Sequence, residues 1–258
     1  MALEIKYFTV SVGLLRGLIS GERDVKECMQ DIVRYSMYYH AIHLPYTDDP
    51  NAMNPNKMET QIKAAANFLN VKIGDTKTSL LQGEQLYEKY YKQGSYCGVN
   101  TEIIWDYNDK NKTEYQVALF CAFCATKSII GAGKYKKTNT GLIAARMFGY
   151  TNKDELLQNT PVLTARNISK EVRAIRKKEI EELEKYQKRY HIDKILTDLE
   201  LQWGLKRYAD HIRGMYISYS LSLETMAKIC EQSKKKTQIT GLKEAKKEAK
   251  RLAKSTPH

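Results

Sequence analysis

Apolar residues recur at helical spacing over residues 24–43, at Val25, Met29, Ile32, Val33 and Met37, and predict a first long helix. The segment LPYTDDPNAMNPN that follows reads as a loop from its Pro, Asp and Asn content. Residues 57–71 and 79–93 predict two more helices. The opening IKYFTVSV reads as a strand or as the start of a helix. Residues 94–109 look irregular, with room for a short strand over 102–105. A stronger signal begins at Thr113, where Gln116 three residues on completes a capping-box pattern ahead of an apolar run to Ile130. Gly131-Ala132-Gly133 ends that run. Residues 134–138 are polar and suit an edge strand. Asn139 or Thr140 can cap the next helix, whose Leu142, Ile143, Ala145, Met147 and Phe148 allow one buried stripe.

Residues 151–190 form a long polar stretch containing a charged helix over 169–190, supported by Glu–Lys pairs at three- and four-residue spacing. Residues 191–203 then carry Ile192, Ile195, Leu196, Leu199 and Trp203 at helical spacing and stop at Gly204. Two short β-like runs follow, over 205–209 and 215–219, around a polar turn ending in Gly214. Ser222 caps a further helix with Glu224 in its first turn. Residues 233–258 are Lys/Ala-rich, a frayed helix at most, with little to offer a core.

The second half thus reads helix (113–130), short strand (134–138), helix (140–149), helix (191–203) and hairpin (205–219). In KYKKTNTGLIAARMFG and IDKILTDLELQWGLKRYADHIRGMYIS it resembles the winged helix-turn-helix family, nearest to bacterial regulators and plasmid or phage replication initiators. The resemblance covers about 105 of the 258 residues. It implies a winged-helix-like domain with a small β-wing (111–232) and an insertion at about 151–190. With the helical patterns before it, the chain reads as a mainly α fold in which an N-terminal helical partner or dimerisation module (1–110) precedes that domain and a basic tail (233–258) follows it. About 40 residues separate the second helix from the third, where the family has a few. Either this chain carries an insertion there, or the true third helix lies within 152–165.

The family places its third helix in the major groove and its hairpin against the backbone or minor groove. That implies double-stranded DNA as partner, in transcription regulation or replication of a mobile element. The expected contacts are Lys134, Lys136, Lys137, Thr138 and Asn139 before the second helix, Arg146 on it, Lys194, Thr197 and Gln202 on the third, and Lys206, Arg207, His211 and Arg213 on the wing. Against this, Asp193, Asp198 and Glu200 share the exposed face of the third helix and repel phosphate. An alternative reading keeps the fold but gives it a protein partner. Clusters at Tyr35, Tyr38, Tyr39 and at Tyr87, Tyr90, Tyr91 suit a half-wet interface between helices or protomers.

Charge narrows the choice. The net charge of +12 is uneven. Residues 1–112 hold 13 Lys and Arg against 14 Asp and Glu, residues 113–204 hold 16 against 11, and residues 205–258 hold 13 against 5. The surplus lies wholly in the half that holds the winged-helix-like stretch, which suits a polyanionic partner. No apolar run reaches the length of a membrane helix, and the start lacks a secretory layout, so a cytoplasmic protein is expected. Five cysteines without a signal segment point to reduced thiols. Cys121-Ala122-Phe123-Cys124 has half a zinc spacing but lies in an apolar run, which reads as buried thiols. His40 and His43 with Asp48 and Asp49 lack a third ligand at a recognised offset. No phosphate loop or nucleophile elbow is present. No catalytic residue, cofactor or metal is expected.

Overall fold

A computed structural model of the chain describes residues 6–43, 55–159, 189–209 and 214–255. It is mainly helical, with two small antiparallel sheets. The opening segment is a strand: β1 (Tyr7–Ser11) runs into a 3-10 turn at Val12–Leu15. It pairs with β2 (Tyr96–Asn100), with Tyr7 opposite Asn100 and Ser11 opposite Tyr96. Alternation sends Phe8, Val10, Cys97 and Val99 into the core.

Helix α1 (Val25–His43) packs on β1, and α2 (Pro55–Leu69) and α3 (Thr76–Tyr90) pack on α1. The third starts earlier than its apolar pattern suggests, because Asp75 caps it by accepting from the Thr78 amide at 2.9 Å. Residues 96–109 are regular where an irregular stretch is expected, and the short strand expected over 102–105 is not found there. Residues 102–105 belong to helix α4 (Thr101–Asp109), started by the Asn100 side chain accepting from the Glu102 amide at 3.0 Å. The strand is β2, just before that cap.

Helix α5 (Glu114–Ile130) has the expected capping box. The Thr113 amide donates to Gln116 Oε1 at 3.0 Å, and the Gln116 amide donates to Thr113 Oγ1 at 3.2 Å. Then come β3 (Lys136–Thr138), α6 (Thr140–Met147) and α7 (Lys153–Asn159). The charged helix expected over 169–190 falls almost wholly outside the described residues. The chain continues with α8 (Arg189–Trp203), β4 (Lys206–Ala209), β5 (Met215–Ser218) and α9 (Leu223–Ser255). The basic tail is therefore one helix with the segment before it, reaching Ser255.

One buried apolar cluster runs from Phe8 in β1 to Ile217 in β5. Helix α5 is its axis, with every residue from Val117 to Thr126 buried. The five cysteines are free and buried. The N-terminal segment is also tied to the second half by Arg16. Its Nη2 meets Glu155 Oε1 at 3.0 Å and the Gly149 carbonyl at 3.4 Å, and its guanidinium lies 4.3 Å from the Tyr150 ring centre. The tyrosine clusters meet each other inside the chain. Tyr35 and Tyr38 of α1 lie 6.0 and 5.3 Å from Tyr87 of α3, which stacks on Tyr91 at 4.4 Å.

Two predictions concern stability. Gly149 has φ +84°, and a Cβ there would lie 2.6 Å from the Arg16 nitrogen. Gly149→Ala combines a left-handed backbone with a backbone clash and should cost about 2–4 kcal/mol in urea unfolding. A loss under about 1 kcal/mol would show that the contact yields. His40 is fully buried, and burial lowers its pKa from 6.5 to about 4. The unfolded chain takes up this proton near pH 6.5, the folded chain only near pH 4. Stability should therefore fall as pH drops through that window, by at most about 1.4 kcal/mol per pH unit. Burial shifts His43 the same way. Unfolding curves at pH 6.5, 5.5 and 4.5 should show the fall, and His40→Gln should flatten it. An unchanged slope would assign the acid sensitivity to other groups.

Candidate nucleic-acid interface

The second sheet brings together segments distant in sequence. Its strand order is β3-β5-β4, all antiparallel. Lys136 lies opposite Ile217, which lies opposite Arg207. In the next row Lys137, Tyr216 and Tyr208 face one another. The Ile217 row turns towards the core, since Ile217 is wholly buried. The Tyr216 row turns the other way, against Met226 and Cys230 at the start of α9. Thus the core lies under one face of the sheet and α9 covers the other. The turn into β5 needs its glycine. Gly214 has φ +115°, and a Cβ there would lie 2.7 Å from the Thr138 carbonyl oxygen. The seam between β3 and β5 is closed by Ser218, whose hydroxyl donates to the Lys134 carbonyl at 2.7 Å. Helix α8 packs on α5 and α6 beside this sheet.

The expected contact residues divide by placement. Lys134, Lys136 and Lys137 are exposed on and before β3, and Lys206 is half-buried at the start of β4. Asn139 is exposed and caps α6, its side chain accepting from the Leu142 amide at 2.9 Å. Lys194 and Gln202 are exposed on α8, and the Lys194 ammonium sits 5.1 Å from the Tyr115 ring centre. His211 and Arg213 lie outside the described residues, as do Arg173, Arg176, Lys177 and Lys178.

Four residues are engaged within the fold instead. Thr138 is buried in the sheet. Arg146 donates through Nε to the Thr151 carbonyl at 3.2 Å and through Nη1 to Ser128 Oγ at 3.0 Å. Burial pulls its pKa below the usual guanidinium value. It ties α6 to α5 rather than reaching outward. Arg207 forms a two-pronged pair with Glu200, Nε to Oε1 at 2.9 Å and Nη2 to Oε2 at 3.0 Å. Its Nη1 lies 3.6 Å from Asp193. Thr197 accepts from Arg207 Nη2 at 3.2 Å and donates to the Asp193 carbonyl at 2.8 Å. Strand alternation explains this. Arg207 shares the Ile217 row, so its side chain leaves β4 on the core side and runs along α8.

The same contacts change the charge of α8. Asp193 and Glu200 are matched by Arg207, and Asp198 accepts from the Tyr115 hydroxyl. The carboxylates that weigh against phosphate in the sequence thus have partners within the fold, and the one arginine cancels one of their three charges. Leu201 stays 79% exposed on this helix. From Lys234 to Gly241, α9 is exposed along its length, with Lys234, Lys235 and Lys236 in succession. Among the described residues no helix is long and apolar enough to cross a membrane, and no three His, Cys, Asp or Glu side chains are grouped to hold a metal ion.

No family model, curated protein or solved structure matches the chain.

Arg207 and Glu200 have side chains about 20% and 31% exposed, so the pair is shielded more than a surface ion pair. Glu200→Ala should lower unfolding free energy by about 1–2 kcal/mol. A double-mutant cycle with Arg207→Ala should show the two losses to be strongly non-additive. Additive losses would mean that the two side chains do not depend on each other.

Proposed function

We propose that this chain is a non-enzymatic, double-stranded-DNA-binding protein of winged-helix type. In this reading α5, α6 and α8 are the three helices, β3 the short strand between the first two, and β4–β5 the wing. The single observation that carries the reading is the β3-β5-β4 sheet. It joins the strand between the first two helices to the hairpin after the last, and α8 packs on α5 and α6 beside it. The segment 151–188 is then an insertion between the second and third helices.

Charge supports nucleic acid over a neutral partner. The +8 surplus of residues 205–258 lies on the wing and the helix that leaves it. Lys136, Lys137 and Lys206 sit on the sheet and Lys134 just before it, and His211 and Arg213 fall between the two wing strands in sequence. Arg207 offsets one of the two charges of Asp193 and Glu200, and the outward face of α8 presents Lys194, Leu201 and Gln202. Phosphate contacts would then supply most of the affinity, and α8 only a few base-edge contacts. A regulator or replication-associated factor of a bacterial mobile element is the role that the resemblance suggests. One observation favours a second reading, a protein partner for the same surface: Leu201 is 79% exposed, an apolar side chain suited to a protein interface.

Titration of a labelled duplex at several salt concentrations tests the proposal. Log affinity should fall linearly with log salt, with a slope near −0.9 per phosphate contact. Lys136→Gln, Lys206→Gln and Arg213→Ala should each weaken binding and reduce the slope by about one contact. Replacing Lys234, Lys235 and Lys236 together by Gln separates the α9 contribution. Binding indifferent to the three sheet and wing variants, or absent at low salt, would reject the DNA reading.

A further inference from the structure

A second surface, distinct from the wing sheet, has its own chemistry. On the β1–β2 ribbon the pairing puts Tyr7, Thr9, Tyr96, Gly98 and Asn100 on one face, away from Phe8 and Val99. Tyr7 and Tyr96 are 36% and 40% exposed, unusual for rings of this size in a folded chain with an apolar core. Tyr7 lies across Gly98, so closely that a Cβ on Gly98 would meet its ring at 3.1 Å. Tyr96 is braced by Tyr39, with ring centres 5.7 Å apart. The two exposed rings are therefore held in place by packing beneath them, not splayed into solvent.

These rings line a groove of about 520 Å³ between the ribbon and α5, a size that suits a small organic ligand. A neighbouring hollow of about 480 Å³ shares Ile103, Phe123 and Lys127 with it and runs on to Trp203 at the end of α8. Lys127 lines both. Its ammonium sits 5.6 Å from the Phe123 ring centre and 5.1 Å from that of Tyr219. It lies in the last turn of α5, where its charge also offsets the helix dipole. No described Asp or Glu pairs with it, and none lines either hollow. Asn100 adds a polar edge: its Oδ1 caps α4, which leaves its amide NH₂ to donate.

We propose that this groove binds a nucleotide, either free or as an unstacked unit of a single strand, with its base on Tyr96 and its phosphate at Lys127. Exposed aromatic faces attract a planar ring and are indifferent to which base it is. An unpaired ammonium selects an anion, and a groove without carboxylates offers a cation nothing. Braced tyrosines also lose little freedom on binding, so stacking is not offset by ordering.

The test is a titration of the full-length protein with nucleoside monophosphates, with a single-stranded octanucleotide and with inorganic phosphate, followed by calorimetry. At least one nucleotide ligand should saturate at one site, more tightly than phosphate alone. Tyr96→Ala should weaken it between about fivefold and a hundredfold, the range for losing one stacked base, whereas Tyr96→Phe should bind like the parent. Lys127→Gln should weaken it and, for the octanucleotide, reduce the salt slope by about 0.7. Circular dichroism checks that each variant keeps its fold. Saturation by monophosphates identifies free nucleotide as the ligand, and saturation by the octanucleotide alone identifies the single strand. Failure of every nucleotide ligand to saturate, or unchanged binding in both Tyr96→Ala and Lys127→Gln, overturns the proposal. None of these residues lies on the wing sheet, so duplex binding and groove binding fail or succeed separately.

Discussion

Everything else in this molecule leans on the burial of α5. A surface helix shows one apolar stripe, but a helix enclosed on all sides is apolar around its circumference. From Val117 to Thr126 every residue of α5 is buried, so partners must stand on every side of it. Strand β2, the 3-10 turn after β1, helices α6 and α8 and the second sheet fill those places. Thr126 meets the demand for polar satisfaction in such a position by donating back to the Ala122 and Phe123 carbonyls and meeting the Tyr219 hydroxyl at 2.7 Å. One helix thereby sets the relation between the N-terminal ribbon and the wing-like hairpin.

Much of this was legible where the signal is local. The Thr113 capping box, the Asn139 cap, the helix ending at Trp203 and the hairpin around Gly214 all follow from neighbours within a few residues, and all are present. Residues 94–109 were misjudged because Asn100 caps α4 through a single side-chain contact two residues long, a weaker cue than the apolar Ile103-Ile104-Trp105 run that resembles a strand. The candidate site was harder to read. Exposure on a helical wheel identified Asp193 and Glu200 as repulsive. Their partner Arg207 lies on the next strand, and only the register of β4 against β5 brings it over them. The Tyr7–Tyr96 surface was missed altogether, because its two halves stand nearly ninety residues apart. The one cue was the alternation of the polar-edged Tyr7 and Thr9 with the apolar Phe8 and Val10.

Charge is sorted by depth. Arg16, Arg146 and Arg207, whose planar guanidinium groups can serve several acceptors at once, hold elements together, the last two largely beneath the surface. The lysines of β3 and of the exposed part of α9 stay in water. Ammonium groups on flexible stems suit phosphate contacts that tolerate sliding, whereas the arginines are committed to fixed geometry. The surplus read from composition therefore overstates the number of arginines free to meet a polyanion and is carried chiefly by lysine.

The five buried thiols make the fold its own reporter. Burial pushes the Cys28 thiol up to about 12 and Cys121 and Cys124 well above their ordinary value, so little thiolate exists at neutral pH. An alkylating reagent then reacts mainly with molecules that have opened. Cys28, Cys97, Cys121 and Cys124 belong to the large core, while Cys230 of α9 sits with Met226 and Tyr216 in the separate small cluster between that helix and the hairpin. Two modification rates from one unaltered chain distinguish the long basic helix lifting off the hairpin from the whole core coming apart.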